Sequence, residues 1–326
     1  MLRSKKSVGF RVVIFAFIFG LVLPFTTSCQ RSEESKPDNT GGGYLTDGQV
    51  IDSVELLNAA PKDGSAAKEL DLEVVKKMKN LEGSSRWIQA AADANDVTKK
   101  TEGREEPGAC EQFNCQIGIN INEKNTPTLV KLLTKVDVDG GKVSETAKKK
   151  YMLPRPFVTT DYKEVCSPHT QESLSKNGAY PSGHTTAGWL WGLTLAKVDP
   201  ENASRIMERA RQYGESRLVC NVHWLTDVQG GRDLASAVFA DLQQSKDFQA
   251  DVEKAAQEVK ETRGKAETVK KNWATTLEIT KKFAKEHPEN ETAKKVAELL
   301  EPLKEWSCEK EVEALAVDIN SYIGRQ

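Results

Sequence analysis

Three short blocks of this chain carry residue types that could do chemistry together. The first is "KKKYMLPRP", with Lys148 and Arg155 seven positions apart, two helical turns, so that both could share one face. The second is "YPSGHTTAGWLWG", where Ser182, Gly183 and His184 lead directly into an apolar run with the look of a buried helix. A Ser-Gly helix start leaves backbone N–H groups unpaired, and these favour an anion, as does the helix dipole. The third is "GESRLVCNVHWLTD", with Arg217 six residues before His223 and Asp227 four after it. A His and an Asp four apart on one helix can hydrogen-bond, fixing the tautomer and stabilising the imidazolium. Each block alone has a plainer reading: a capped helix with a surface His, solvated charges on a helix face, a surface His–Asp pair. Together they place three cations, two imidazoles, one carboxylate and a set of backbone donors in a fixed order. A phosphate monoester is the anion such a set suits, with the arginines binding it in bidentate fashion.

The elements that must hold these blocks read as helical. Apolar spacing of three and four recurs over 66–81, 86–97 and 126–139. Residues 145–156 read as helical until Pro154 and Pro156. Residues 185–198 are apolar nearly all round, and 203–245 gives two more helices around Gly214 and Gly230–Gly231. Strand patterns are weak throughout, so the expected fold is all-α. Past about residue 255 the chain is dense in Lys and Glu, with sparse apolar positions such as Trp273, Leu277, Phe283, Val296, Leu299, Leu300 and Leu303 at helical spacing. That stretch reads as solvated helices packed on the main body, or as a partner-binding hairpin.

The ordered pattern resembles the signature of the superfamily uniting type 2 phosphatidic acid phosphatases, bacterial class A non-specific acid phosphatases and vanadium haloperoxidases. It is most similar to the class A acid phosphatases, on "YLTDGQVIDSVELLNAAPKDGSAAKELD", "RWIQAAADA", "NGAYPSGHTTAGW" and "GESRLVCNVHWLTDVQGGR". The resemblance covers roughly residues 44–255 and implies a single helical phosphatase domain there, with 256–326 as a charged helical extension. It implies phosphate held by Lys148, Arg155, Ser182, Gly183 and Arg217. His223 would be the nucleophile that carries a phosphohistidine, Asp227 its orienting partner, and His184 the acid that protonates the leaving oxygen and then activates water. No metal or cofactor is called for, since the cations take that role, and the sequence shows no clustered carboxylates to hold one. The product of a neutral His223 and a protonated His184 puts the rate maximum between about pH 5 and 7. The alternatives on the same scaffold are a lipid phosphatase and a vanadate-dependent haloperoxidase.

The 326 residues carry 29% charged side chains and a net charge of −2, which argues against a nucleic-acid partner. The expected partners are small phosphate monoesters, with a homo-oligomer left open. The N-terminus has basic Arg3, Lys5, Lys6 and Arg11, then an apolar run over Val12–Phe25, then Thr26, Thr27, Ser28 and Cys29. The run is short for a bilayer span and suits a signal peptide over 1–29. Small residues leading into Cys29 resemble a bacterial lipoprotein signal, although Thr26 stands where Leu is usual; simple secretion and a retained anchor are the alternatives. Residues 30–43 read as a flexible tether. The expected location is periplasmic, held by the Cys29 lipid to a membrane, the outer one favoured. Exported cysteines meet an oxidising compartment. Of the six, none has the spacing and His partners of a zinc site. Since the three blocks converge on one phosphate in the resemblance, Cys166–Cys220 is the first choice of disulfide. Cys110–Cys115 is the second, which leaves Cys308 over.

Overall fold

The computed structural model describes residues 42–94, 112–265, 269 and 274–323. The leader with Cys29, the tether up to residue 41, Cys110 and Trp273 lie outside the described residues. No β-strand occurs among the described residues, and no helix there is long and apolar enough to cross a membrane. The helices that matter are α1 (Ala66–Met78), α2 (Ser85–Ala94), α3 (Pro127–Tyr151), α4 (Pro168–Ser175), α5 (Gly183–Val198), α6 (Ala203–Val219), α7 (Leu225–Leu242), α8 (Lys246–Arg263), α9 (Ala274–Glu286), α10 (Glu291–Leu299) and α11 (Cys308–Leu315).

Helix α5 is the hub, packed against α3, α6 and α7. Its all-round apolar pattern is used as such: Leu190, Trp191 and Leu195 are buried beside Leu129, Leu133 and Val136 of α3, Ile206 and Tyr213 of α6, and Leu234 and Val238 of α7. Close approach of α5 to α6 depends on Gly188, because a Cβ there would run into the Tyr213 ring. The same core takes in Phe248, Val252 and Val259 of α8. The expected boundary at residue 255 therefore falls inside a helix of the main body, because the apolar face of α8 continues past its Lys and Glu residues.

Helix α3 corrects a second expectation. It runs unbroken from Pro127, where two separate helices were read. The Asp139-Gly140 pair is buried at a contact, and the helix continues through it and the exposed Gly141. Asp139 accepts the Tyr44 and Leu45 backbone N–H groups at 2.7 and 3.3 Å, and a Cβ on Gly140 would sit 3.2 Å from Leu190. The helix ends at Tyr151, with Met152 at φ 43°.

The charged C-terminal part packs on the body through its few apolar positions. Leu277, Val296, Leu300, Leu303, Trp306, Ile319 and Ile323 share one buried cluster with Val74, Trp87, Phe157 and Leu218. These are the residues a partner-binding hairpin would need exposed. Cys308 is not left over: it forms a disulfide with Cys115, Cα–Cα 5.6 Å, which corrects the Cys110–Cys115 pairing. Cys166 and Cys220 form the other described disulfide, Cα–Cα 4.9 Å. The Cys115–Cys308 bridge closes a loop with a sequence separation of 193 residues. Chain-entropy reasoning gives such a bridge about 2–5 kcal/mol. A Cys308→Ala variant is thus expected to unfold at a temperature several degrees lower in calorimetry. An unchanged midpoint would show that the bridge contributes nothing.

Candidate active site

The site is assembled where α3 ends, α5 begins, and the α6–α7 connection passes between them. A cavity of about 380 Å³ is lined by Lys148, Arg155, Gly183, His184 and His223, together with Asp137, Gly141, Ser144, Glu145, Leu174, Asn177 and Ala187. Ser182, Arg217 and Asp227 are buried in the layer behind it.

Lys148 and Arg155 do not share a helix face, because α3 stops between them. They meet over one backbone oxygen instead: Lys148 Nζ donates to the Gly178 carbonyl at 3.0 Å, and Arg155 Nη2 reaches it at 3.5 Å. Gly178 is required there, since a Cβ would lie 2.5 Å from the Lys148 carbonyl oxygen. Further carbonyls fix the Arg155 fork, with Nε donating to Leu174 and Nη1 to Val222, both at 2.9 Å.

His223 is also not on the helix with Asp227. Helix α7 starts at Leu225, after Trp224 as its N-cap. Asp227 reaches back from the first turn, and its Oδ2 accepts the Trp224 N–H at 2.8 Å and His223 Nδ1 at 3.1 Å. On its other side, His223 Nε2 lies 2.9 Å from Arg155 Nη1. A guanidinium only donates and a carboxylate only accepts, so these neighbours place the ring proton on Nδ1 and leave the Nε2 lone pair facing the cavity side. Burial, then Arg155 and Lys148, hold the His223 imidazolium well below its ordinary range near 6.5.

Ser182 caps α5, accepting the Thr185 N–H at 3.2 Å and the Thr185 hydroxyl at 2.9 Å. Its own N–H donates to the Asp227 carbonyl at 2.9 Å, so the starts of α5 and α7 are tied together. His184, in the first turn of α5, contacts the Ala94 carbonyl through Nε2 at 3.2 Å and stacks beside Tyr213 with ring centroids 6.3 Å apart. A carbonyl only accepts, so Nε2 carries a proton and Nδ1 is the nitrogen left for exchange. Burial first, then Arg217, push this imidazolium well below its ordinary value as well. Arg217 donates from Nη2 to the Ala90 carbonyl at 3.0 Å, while its Nε is buried with no protein partner. Asp227 Oδ1 is likewise unpartnered, and burial pushes that carboxyl up against the pull of the Trp224 N–H and Lys148.

Sequence reasoning did not find the carbonyls of Gly178, Leu174, Val222, Ala90 and Ala94, which aim the charged groups. A backbone oxygen has no residue-type signature. The one signal that could point to such a position is the glycine of "NGAYPSG", Gly178, where the backbone comes close to the Lys148 carbonyl.

A profile of the PAP2 superfamily matches residues 132–244. The chain is 38% identical over 216 residues to a non-specific acid phosphatase of Providencia stuartii, covering 66% of this chain and 84% of that protein. It is 34% identical over 242 residues to an acid phosphatase of Zymomonas mobilis, covering 73% and 84%. It is 36% identical over 212 residues to a non-specific acid phosphatase of Salmonella typhimurium, covering 65% and 81%. With its all-helical fold, the chain belongs to the PAP2 superfamily and, within it, to the class A non-specific acid phosphatases.

Proposed function

We propose that the protein is an exported acid phosphatase that hydrolyses phosphate monoesters through a phosphohistidine on His223, without a metal ion. One observation carries this reading. The buried cations Lys148 and Arg155 line the cavity, a third buried cation, Arg217, and one buried carboxylate, Asp227, lie behind it, and the carboxylates Asp137 and Glu145 line it nearer to solvent. The buried cations outnumber the buried carboxylate, which suits an anion such as a phosphate monoester. The unpaired Arg217 Nε adds a donor, and so does the start of α5, where the Gly183 and His184 N–H groups have no partner within the helix.

In the first step the His223 Nε2 lone pair forms a bond to phosphorus as the P–O ester bond breaks. His184 gives the departing oxygen its proton, and the alcohol leaves. Arg155 moves its Nη1 hydrogen bond from Nε2 to a phosphoryl oxygen, which frees the nucleophile as substrate binds. Asp227 holds the Nδ1 proton and stabilises the positive charge that develops on the ring. In the second step neutral His184 takes a proton from water. The hydroxide oxygen bonds to phosphorus, the P–N bond breaks, and inorganic phosphate and neutral His223 are restored. The cations stabilise the equatorial oxygens in both steps.

Export rests on the basic start, the apolar run to Phe25 and the small residues before Cys29, and a lipid on Cys29 would tether the enzyme to a bacterial membrane. The test is a panel of phosphate esters with chelator and with vanadate. Hydrolysis is expected to survive a strong chelator, and vanadate, which mimics the five-coordinate phosphoryl transition state, is expected to inhibit it. Loss of activity with chelator, restored by a divalent ion, would overturn the metal-free mechanism. Halide oxidation dependent on vanadate, without ester hydrolysis, would favour the haloperoxidase alternative.

A further inference from the structure

The last turn of α2 touches the site twice. The Ala90 carbonyl accepts Arg217 Nη2, and the Ala94 carbonyl holds His184 Nε2. Between them sits Asp93, which is fully buried. Its carboxylate is held by Arg209 of α6 through Nη2 at 2.6 Å and Nη1 at 3.3 Å, by the Ser216 hydroxyl at 2.5 Å and by Gln89 Nε2 at 2.8 Å. Arg86 of α2 donates to the same Ser216 hydroxyl at 3.0 Å. Ser216 directly precedes Arg217, so this network fixes α2 against the stretch of α6 that carries a phosphate-site cation.

The network is completed from the C-terminal part of the chain. Glu311 of α11 accepts Arg209 Nε at 3.0 Å, and the indole N–H of Trp306 donates to Gln89 Oε1 at 2.7 Å. Both side chains are buried, and the Cys115–Cys308 bridge anchors the start of α11. Nothing about simple stability requires so many charged groups here, since a buried ion pair is often replaceable by apolar residues at no loss. What it does provide is direction: α2 is held to a single register against α6, in a dry interior where a broken partner is costly.

We infer that Glu311 and Trp306 are positioning residues of the phosphate site, acting through Asp93 and Gln89 to set the two α2 carbonyls that orient His184 and Arg217. The C-terminal extension is then part of the catalytic apparatus, a bracket closed onto the back of the site. This rests on the roles proposed above for His184 and Arg217.

The experiment uses the full chain carrying Glu311→Gln, which keeps side-chain size and removes the charge, or Trp306→Phe, which keeps an aromatic ring and removes the N–H. Each variant is compared with the wild type on an alkyl and an aryl phosphate ester, together with the inhibition constant of inorganic phosphate. A misdirected His184 is expected to lower the alkyl rate about tenfold and the aryl rate less, and a misdirected Arg217 to raise the phosphate inhibition constant severalfold. The Trp306→Phe variant removes no buried charge, so it reports even where Glu311→Gln fails to fold. Folded variants with a lowered melting temperature but the wild-type alkyl-to-aryl ratio and phosphate inhibition would overturn the inference and leave the extension a stabilising cover. A wild type inactive on both esters would instead overturn the functional reading, and the inference with it.

Discussion

Replacing His223 with Ala is expected to remove turnover almost entirely, by at least about 10⁴-fold in kcat, and to remove the acid-labile phosphoenzyme. The reason lies in how much of the site is organised around one nitrogen. Asp227 and Arg155 flank the ring at 3.1 and 2.9 Å and leave Nε2 with its lone pair. Burial and two neighbouring cations keep the ring neutral and therefore nucleophilic. The other imidazole lining the cavity, His184, has its Nε2 on the Ala94 carbonyl and is assigned the proton transfer instead. The cations remain in the variant, so binding of inorganic phosphate should survive while chemistry stops. Rapid-quench detection of labelled phosphoenzyme checks this: a variant that still accumulates it, or that retains more than a few per cent of kcat, would mean that another residue is the nucleophile.

Much of this arrangement was legible in the sequence, and the part that was not has a common cause. Residue types and their order gave the cations, the imidazoles and the all-helical class, because side-chain chemistry and a 3.6-residue period are written in the chain. The local geometry was misread twice in the same way. Lys148 with Arg155, and His223 with Asp227, were placed on shared helix faces from their spacing. In both cases the helix boundary falls between the partners, after Tyr151 and at Trp224, and the contact is made across the boundary. Helix ends are where backbone groups go unpaired, so they are where a phosphate site gathers. They are also the least certain feature of a periodic pattern. The Cys115–Cys308 bridge was missed because its partners are 193 residues apart and no local signal links them. The extension was set apart for its charge, yet Glu311 is among the most buried charged residues described.

The second large effect concerns His184 and pH. A His184→Ala variant should lose about 10²–10⁴-fold on alkyl phosphates, whose leaving oxygen needs a proton, and much less on an aryl phosphate, whose leaving group departs as the anion. The pH profile follows from the site's charge. Sequence reasoning placed the maximum between about pH 5 and 7 by asking His184 to keep its proton above the ordinary histidine range. The structure reverses that demand: burial and Arg217 push the free His184 below 6.5, alongside His223. At neutral pH both rings of the free enzyme are neutral. His223 is then already in its attacking form, and the missing proton must arrive with the substrate. Either the monoanion carries it, since the second ionisation of a phosphate monoester falls near about pH 6, or the bound dianion raises His184 enough to capture it. Both routes give the reactive complex one proton more than the resting species. The value of kcat/KM should therefore peak below about pH 6.5 and fall toward tenfold per unit as pH rises beyond it, with an acid limb where His223 itself becomes protonated. The limbs belong to the interacting pair rather than to single rings. In His184→Ala, the alkaline limb measured on the aryl ester should flatten, because the proton it reports is no longer needed. Equal losses on alkyl and aryl esters would take the acid role from His184. A wild-type rate that climbs steadily to about pH 9 would point to a hydroxide-driven reaction in which neither imidazole acts as proposed.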